Sequence, residues 1–269
     1  MLTAQRHSLI RQIVRVKSSV SVAELAKKCD ASVVTIRRDL ASLERDGIVV
    51  RIRGGATLAD LAPDRLVNRF EEQCSLHYQE KQLIGSAASA LIEPGETIII
   101  DSGSTTLELA KNLAELSGVT IFTPSIRTAE ELEHYTAINT ILTGGTLRSR
   151  TSSLVNPVLD KSLQSVMAAK VFLGVTGVSA EFGLTTGDFA EADVKKILIS
   201  HAQEVIVLTD SSKLDHVSPA FIAKLEQVHT LVTDYKADPD FLDSLRKNGL
   251  KVVIAYPASQ QAKEMAGPV

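Results

Sequence analysis

The chain contains no tryptophan, and aromatic residues make up only 4% of its 269 positions. A core so poor in aromatic rings must be built mainly from Ala, Val, Ile and Leu, which suits close-packed helices and buried parallel strands. No apolar run approaches the ~18 residues that a membrane-spanning helix needs, so no bilayer segment is expected. Residues 1–15 carry charge throughout and lack the apolar stretch of a signal peptide, which sets the expectation of a cytoplasmic chain. Only two cysteines occur, Cys29 and Cys74, far apart and without His or Cys neighbours at metal-ligand spacing. Neither a disulfide framework nor a metal site is expected, and no cofactor is called for.

What is present is an ordinary globular balance, 44% hydrophobic and 23% charged, which excludes a disordered chain. The net charge of −3 conceals an asymmetry. Residues 1–58 hold eleven Lys or Arg against five Asp or Glu, a net of +6, while the remainder holds 18 against 27, a net of −9. A basic head on an acidic body implies that the head, and not the body, meets a polyanion.

Three helical segments follow one another in the head. The first runs from about Thr3 to Val16, with Leu9, Ile10, Ile13, Val14 and Val16 on an apolar side and Arg6, Arg11, Arg15 and Lys17 on a basic one. The second opens at Ser21 with Glu24 three residues on, the pattern of a capping box, and continues to about Lys28. After a turn at 29–31, Ser32 caps a third helix reaching about Asp46, in which Ile36, Leu40 and Leu43 mark a core face. That leaves Thr35, Arg37, Arg38 and Ser42 for solvent or a partner. Beyond Gly47 the pattern turns β-like, and Gly54-Gly55 separates two short strands. This reads as a two-stranded wing with Arg51 and Arg53 on one side. Short helix, turn, longer helix and wing make a winged helix-turn-helix over residues 1–58. A small helical protein-interaction domain is the competing reading, and it predicts no salt-dependent affinity for DNA.

Residues 59–75, with Pro63 and mixed charge, read as a linker. From 76 to 269, short apolar strands alternate with helices. The fold class is therefore α/β: the winged head plus a Rossmann-like domain with a mostly parallel sheet. Ligands of such sheets gather at the carboxyl ends of the strands. Four of those ends carry small, hydroxyl-bearing or cationic residues. They are Asp101-Ser102-Gly103-Ser104-Thr105-Thr106; Thr143-Gly144-Gly145-Thr146 with Arg148 and Arg150; Gly174 to Gly177, leading through Gly183–Thr186 to Glu191 and Lys195; and Asp210–Lys213. The first lies between strand and helix, where backbone N–H groups can approach an anion, although a plain capped turn uses the same residues. No Gly-Lys-Ser follows, so this is no nucleotide loop. Together the four loops suggest a polyol bearing a phosphate.

The head resembles the DeoR family of bacterial regulators. The resemblance is carried by Val20-Ser21-Val22-Ala23-Glu24-Leu25-Ala26, Thr35-Ile36-Arg37-Arg38-Asp39-Leu40, Leu43-Glu44, Gly47 and Arg53-Gly54-Gly55-Ala56. It implies that Ser32, Val33, Thr35, Arg37 and Arg38 lie at or near the major groove. With Ser21, Arg51 and Arg53 they form the expected DNA-binding set. At least one of Val33 and Val34 is expected in the core, and Asp39 is expected to orient a neighbouring arginine. The body, from Glu80-Lys81 to Asp234, is similar to the family's sensor domain, itself related in fold to ribose-5-phosphate isomerase. The resemblance implies that Asp101 to Thr106, Gly144, Gly145, Arg148, Thr176, Glu191, Lys195 and Lys213 line an effector cleft. The chain departs from the family at Arg53, where His is usual, at Pro124 for Asn, at Asn156 for Gly, and at Ala169 for an acid. Pro124 removes an amide side chain and a backbone donor at a strand end. The implied protein is a homo-oligomer, dimer or tetramer. It would repress a carbohydrate-metabolism operon by binding a double-stranded DNA operator, under control of a phosphorylated sugar. A sugar-phosphate isomerase, with Glu191 and Lys195 as its reactive pair, is the alternative.

Overall fold

Ile36, Leu40 and Leu43 recur at helical spacing, and all three sit in the core of the first of two compact units, Met1–Glu71 and Glu72–Val269. A computed structural model describes residues 3–17, 19–45, 48–52, 54–58, 70–155 and 158–260. The first unit holds α1 (Thr3–Lys17), β1 (Ser19–Ser21), α2 (Val22–Lys28), α3 (Val33–Arg45), β2 (Val49–Ile52) and β3 (Gly55–Leu58). Ile10, Ile13 and Val14 of α1, Leu25 of α2 and Val49 of β2 close the core around the α3 stripe.

The wing differs from expectation in one respect. Its strands form the antiparallel hairpin β2–β3, but β1 pairs with β3 as well, making a three-stranded sheet of order β1-β3-β2. Ser19 to Ser21 is too short to show a period of two. The sheet therefore binds the wing to the entrance of α2, where the Val22 N–H donates to the Gly54 carbonyl at 2.9 Å.

The second unit is organised by a strand buried on both faces. In β4 (Thr97–Ile100), Ile98 and Ile100 join one core cluster and Ile99 another, as the alternation of strand side chains requires. Burying each such side chain contributes about 1.5–3 kcal/mol. The other strands of the sheet are β5 (Thr120–Thr123), β6 (Asn139–Leu142), β9 (Ala168–Gly174), β12 (Ala202–Leu208), β14 (Thr230–Asp234) and β15 (Lys251–Ala255). Their order is β15-β14-β12-β9-β4-β5-β6 and every pairing is parallel. The chain steps outward from β4 to β6, returns as β9 on the other side of β4, and steps outward again. The order thus reverses between β4 and β9, the switch point where such sheets open a crevice.

The helices are α4 (Tyr78–Ser89), α5 (Ser104–Ala110), α6 (Ile126–Leu132), α7 (Val158–Leu163), α8 (Phe189–Ser200) and α9 (Pro239–Lys247). Residues 70–75, the end of the expected linker, are helical. Expectation fails at three places. Helix α5 stops at Ala110, short of the helix over Thr105–Leu116 that the alternation of strands and helices in the sequence predicts. Thr146–Arg148 is a strand, β7, paired with β8 (Ser153–Val155). The segments Gly177–Ser179 (β10) and Gly183–Thr186 (β11), expected to be loops at the edge of the main sheet, build a separate antiparallel sheet with β13 (Ala220–Ala223).

Candidate functional sites

In the first unit, local bonds fix the two helices of the helix-turn-helix. The Ser21 Oγ accepts from the Glu24 N–H at 3.1 Å and caps α2. Asp30 takes the left-handed conformation that turns the chain, with φ 46°. The Ser32 Oγ then accepts from the Thr35 N–H at 3.1 Å and meets the Thr35 hydroxyl at 2.8 Å. Satisfying these N–H groups holds the start of α3 in helical register.

The outer surface of that start differs from expectation. Val33 and Val34 are 41% and 61% exposed, so neither serves the core. Ser32, Arg37 and Arg38 are exposed beside them, and Thr35 is half-buried. Neither Arg37 nor Arg38 forms an ion pair with a described residue. Arg51 is engaged: its backbone N–H and Nε reach the two carboxylate oxygens of Glu44, at 3.0 and 2.9 Å, in an exposed pair. Arg53 lies outside the described residues. Arg6, expected on the basic outer side of α1, is buried instead, and Asp39 pairs with it rather than with a neighbour in sequence. Burial pushes the Asp39 carboxyl upward, but hydrogen bonds and charge from Arg6 and His7 outweigh it and hold the group below the usual carboxylate range.

In the second unit, Asp101 to Thr106 and Lys195 of the expected cleft set lie at the switch point. Asp101, immediately after β4, is fully buried. One of its carboxylate oxygens takes the ammonium of Lys195 on α8 and also the Gly174 N–H at the end of β9, the latter at 3.2 Å. The other oxygen, Oδ1, is buried and has no partner among the described residues. Thr106 Oγ1 donates to the Asp101 and Gly103 carbonyls at 2.8 and 3.0 Å, folding the loop back on itself. A Cβ on Gly174 would lie 4.0 Å from Gly103 Cα, an ordinary van der Waals distance, so the ends of β4 and β9 are neighbours across the crevice. The N–H groups of Ser102 to Thr106 donate to no described residue.

Beside this centre, Arg148 and Glu191 fall into a chain of contacts. Arg148 Nη2 binds Asp188 Oδ2 at 2.8 Å, and Asp188 caps α8 by accepting from the Ala190 and Glu191 N–H groups. Glu191 receives the Thr186 hydroxyl at 3.4 Å, and Lys195 follows one turn along α8. Arg148 is therefore committed to a carboxylate, where sequence had offered it as a free cation. Thr176 is exposed and bonds the Ser218 hydroxyl at 2.9 Å. Gly144 and Gly145 lie after β6, two strands from the crevice, with φ 73° and 129°. A Cβ at Gly145 would meet the Val155 carbonyl oxygen at 2.7 Å, which explains a glycine there without a ligand. Pro124 is structural too: its carbonyl accepts from the Leu154 N–H at 2.7 Å. Asn156 lies outside the described residues.

Lys213 pairs with Asp210 at 3.2 Å just beyond β12. Burial pushes the Asp210 carboxyl up, but the Lys213 charge and the Ser212 bond outweigh this and keep it low. Within electrostatic reach lies a residue that sequence reasoning passed over. Lys81, on the buried face of α4, is only 1% exposed. Its ammonium donates to the carbonyls of Gln73 and Leu76, the latter at 2.6 Å. Burial and the nearby Lys213 charge lower its pKa to about 8. A signal was present: Lys81 precedes Ile84 by three residues and Ala88 by seven, the spacing of the face that packs inward. Among the described residues no group of His, Cys, Asp and Glu could hold a metal, and no helix is long and apolar enough to cross a membrane.

A winged helix-turn-helix unit and a doubly wound α/β unit with a polar crevice define a DNA-binding transcription regulator with a sensor domain. The profile of the DeoR-like helix-turn-helix domain matches residues 6–61, and that of the DeoR C-terminal sensor domain matches residues 76–235. The chain is 33% identical over 252 residues to an Escherichia coli O157:H7 protein provisionally named a transcriptional repressor of the aga operon, covering 94% of each chain. It is 31% identical over 255 residues to the Listeria innocua HTH-type transcriptional regulator GolR, covering 95% of this chain and 100% of that one. Ribose 5-phosphate isomerase A from Methanocaldococcus jannaschii overlaps 50% of the chain and 53% of its own at 22% identity and a TM-score of 0.38. This protein belongs to the DeoR family of transcription regulators. Its whole-length relatives are regulators, and the isomerase reading of Glu191 and Lys195 is set aside.

Proposed function

We propose that this regulator represses a carbohydrate-metabolism operon and that a phosphorylated sugar, bound at the ends of β4, β9 and β12, changes its operator affinity. The observation that carries the effector class is the pairing of unspent donors with one unspent acceptor. Lys81 carries three N–H donors and commits two to backbone carbonyls. Lys213 stands near enough to lower the Lys81 pKa, a like-charge cost that a bound phosphate dianion removes. The free N–H groups of Ser102 to Thr106 add neutral donors. Asp101 Oδ1, unpartnered and buried, accepts from a hydroxyl and repels a phosphate, so it selects the sugar end. Neighbouring parallel strands lie about 4.8 Å apart, so three adjacent strand ends span roughly 10 Å, the length of a sugar phosphate.

The DNA-binding set is Ser32, Val33, Thr35, Arg37 and Arg38 on α3, with Arg51 and Arg53 of the wing and Ser21 at the cap. Residues 1–58 bind DNA, 59–75 connect, and 76–269 sense, in a homo-oligomer that reads paired half-sites. Thermal unfolding of the full chain against ribose 5-phosphate, glucosamine 6-phosphate and similar esters tests the effector class. A selective ester raises the unfolding temperature and its dephosphorylated sugar does not, because only a ligand of the folded state stabilises. Equal shifts from sugar and ester contradict the phosphate reading.

A further inference from the structure

We infer that Arg6 and Asp39, with His7, form a buried polar lock that sets the rotation of α3 and so determines which side chains it offers to DNA. The inference rests on the reading of α3 as the recognition helix. Arg6 stands four residues before Ile10 and seven before Ile13, so it occupies the core-facing stripe of α1. Asp39 lies between Ile36, Leu40 and Leu43 on the matching stripe of α3. In an otherwise apolar contact, Arg6 Nε meets Asp39 Oδ2 at 2.5 Å and Arg6 Nη2 meets Oδ1 at 3.0 Å, a two-pronged pair. His7 Nε2 joins Oδ1 at 3.1 Å. The side chains of Arg6 and Asp39 are 11% and 6% exposed, so these bonds are largely shielded from water.

This lock differs from ordinary packing in its geometry and in its charge. Apolar side chains tolerate rotation and sliding of one helix on another, whereas a two-pronged guanidinium–carboxylate pair has one geometry. Charge pairs in such surroundings add little stability over an apolar pair of similar size, and their best-attested use is to fix register. Asp39 directly follows Arg37-Arg38, two exposed cations without an ion-pair partner among the described residues. A small rotation of α3 at Asp39 would swing both away from a base edge. An unneutralised carboxylate there would also repel phosphate, and the Arg6 guanidinium cancels that charge from behind. Arg6 and Asp39 are thus positioning residues that act through Arg37 and Arg38.

The test uses the full chain and a duplex selected by the wild type from a random library, with a scrambled duplex as control. The double variant Arg6→Met with Asp39→Leu removes the lock without changing net charge. It is expected to unfold at or above the wild-type temperature and to keep its salt dependence on scrambled DNA. It is also expected to lose at least tenfold in the ratio of selected to scrambled affinity. Arg6→Lys keeps the charge but not the fork. It gives an intermediate loss of ratio and stands as the readout if the double variant does not fold. A ratio within twofold of wild type in a folded variant overturns the lock and reduces the pair to packing. If the wild type itself selects no duplex, the recognition-helix reading fails, and the lock with it.

Discussion

Arg38 and Lys81 are both cations, and their surroundings give them opposite tasks. Arg38 is exposed and has no ion-pair partner among the described residues, so it is available to a guanine edge. Arg38→Ala is expected to weaken binding to the selected duplex by roughly 1–3 kcal/mol and to relax discrimination at one base pair. An unchanged isotherm at matched salt removes Arg38 from the reading set. Lys81 is buried, with a pKa of about 8 against an ordinary 10.5. Between those two values the unfolded chain binds more protons than the folded one, so stability rises with pH across that window. Denaturant unfolding at a series of pH values is expected to show this rise in the wild type and its absence in Lys81→Met. The same proton links to ligand: a phosphate ester favours charged Lys81, so its affinity falls as pH climbs through about 8. An ester affinity that is flat from pH 7 to 9 places the phosphate elsewhere.

At the scale of elements, caps and close approaches decide what the periodicity of the sequence leaves open. Ser32→Ala, which removes the bond to the Thr35 N–H, is expected to cost about 0.5–2 kcal/mol in unfolding of the head. At Gly85 of α4, a Cβ would lie 2.5 Å from the Glu108 carbonyl carbon of α5. Two helix backbones touch there, and Gly85→Ala is expected to cost roughly 1–3 kcal/mol by overpacking, read from the denaturation midpoint. A midpoint equal to wild type contradicts that approach. Helix α2 was legible to the residue, because Ser21 and the apolar positions agree. The parallel strands were legible because burial on both faces makes unbroken apolar runs such as Ile98–Ile100. Strands β10 and β11 were not: Thr185, Thr186 and Ser179 are buried polar residues in segments of three or four, with neither alternation nor an apolar run. Strand β1 was hidden for the same reason of length.

For the whole molecule, charge asymmetry pointed to the output and strand-end chemistry to the input. What the sequence could not show was which charges were already spent. Arg148, Lys195 and Lys213 each face a carboxylate of this chain, and Arg6 lies inside the head. Apart from Lys213, three residues after Asp210, these partners lie 33 to 94 residues apart in the chain and leave no local pattern. Lys81 and Asp101 Oδ1, two groups with capacity left, emerge only after that accounting. The measurement that tests the account most directly is the affinity of the full chain for its selected duplex, at fixed salt. It is titrated with sugar phosphates and with the same sugars lacking phosphate. The account predicts salt-dependent binding that one ester shifts by about 5–150-fold, the usual span of coupling between sites. The free sugar leaves that affinity unchanged, and Lys81→Met abolishes the response. Binding that no ester alters, or that sugar and ester alter alike, contradicts it.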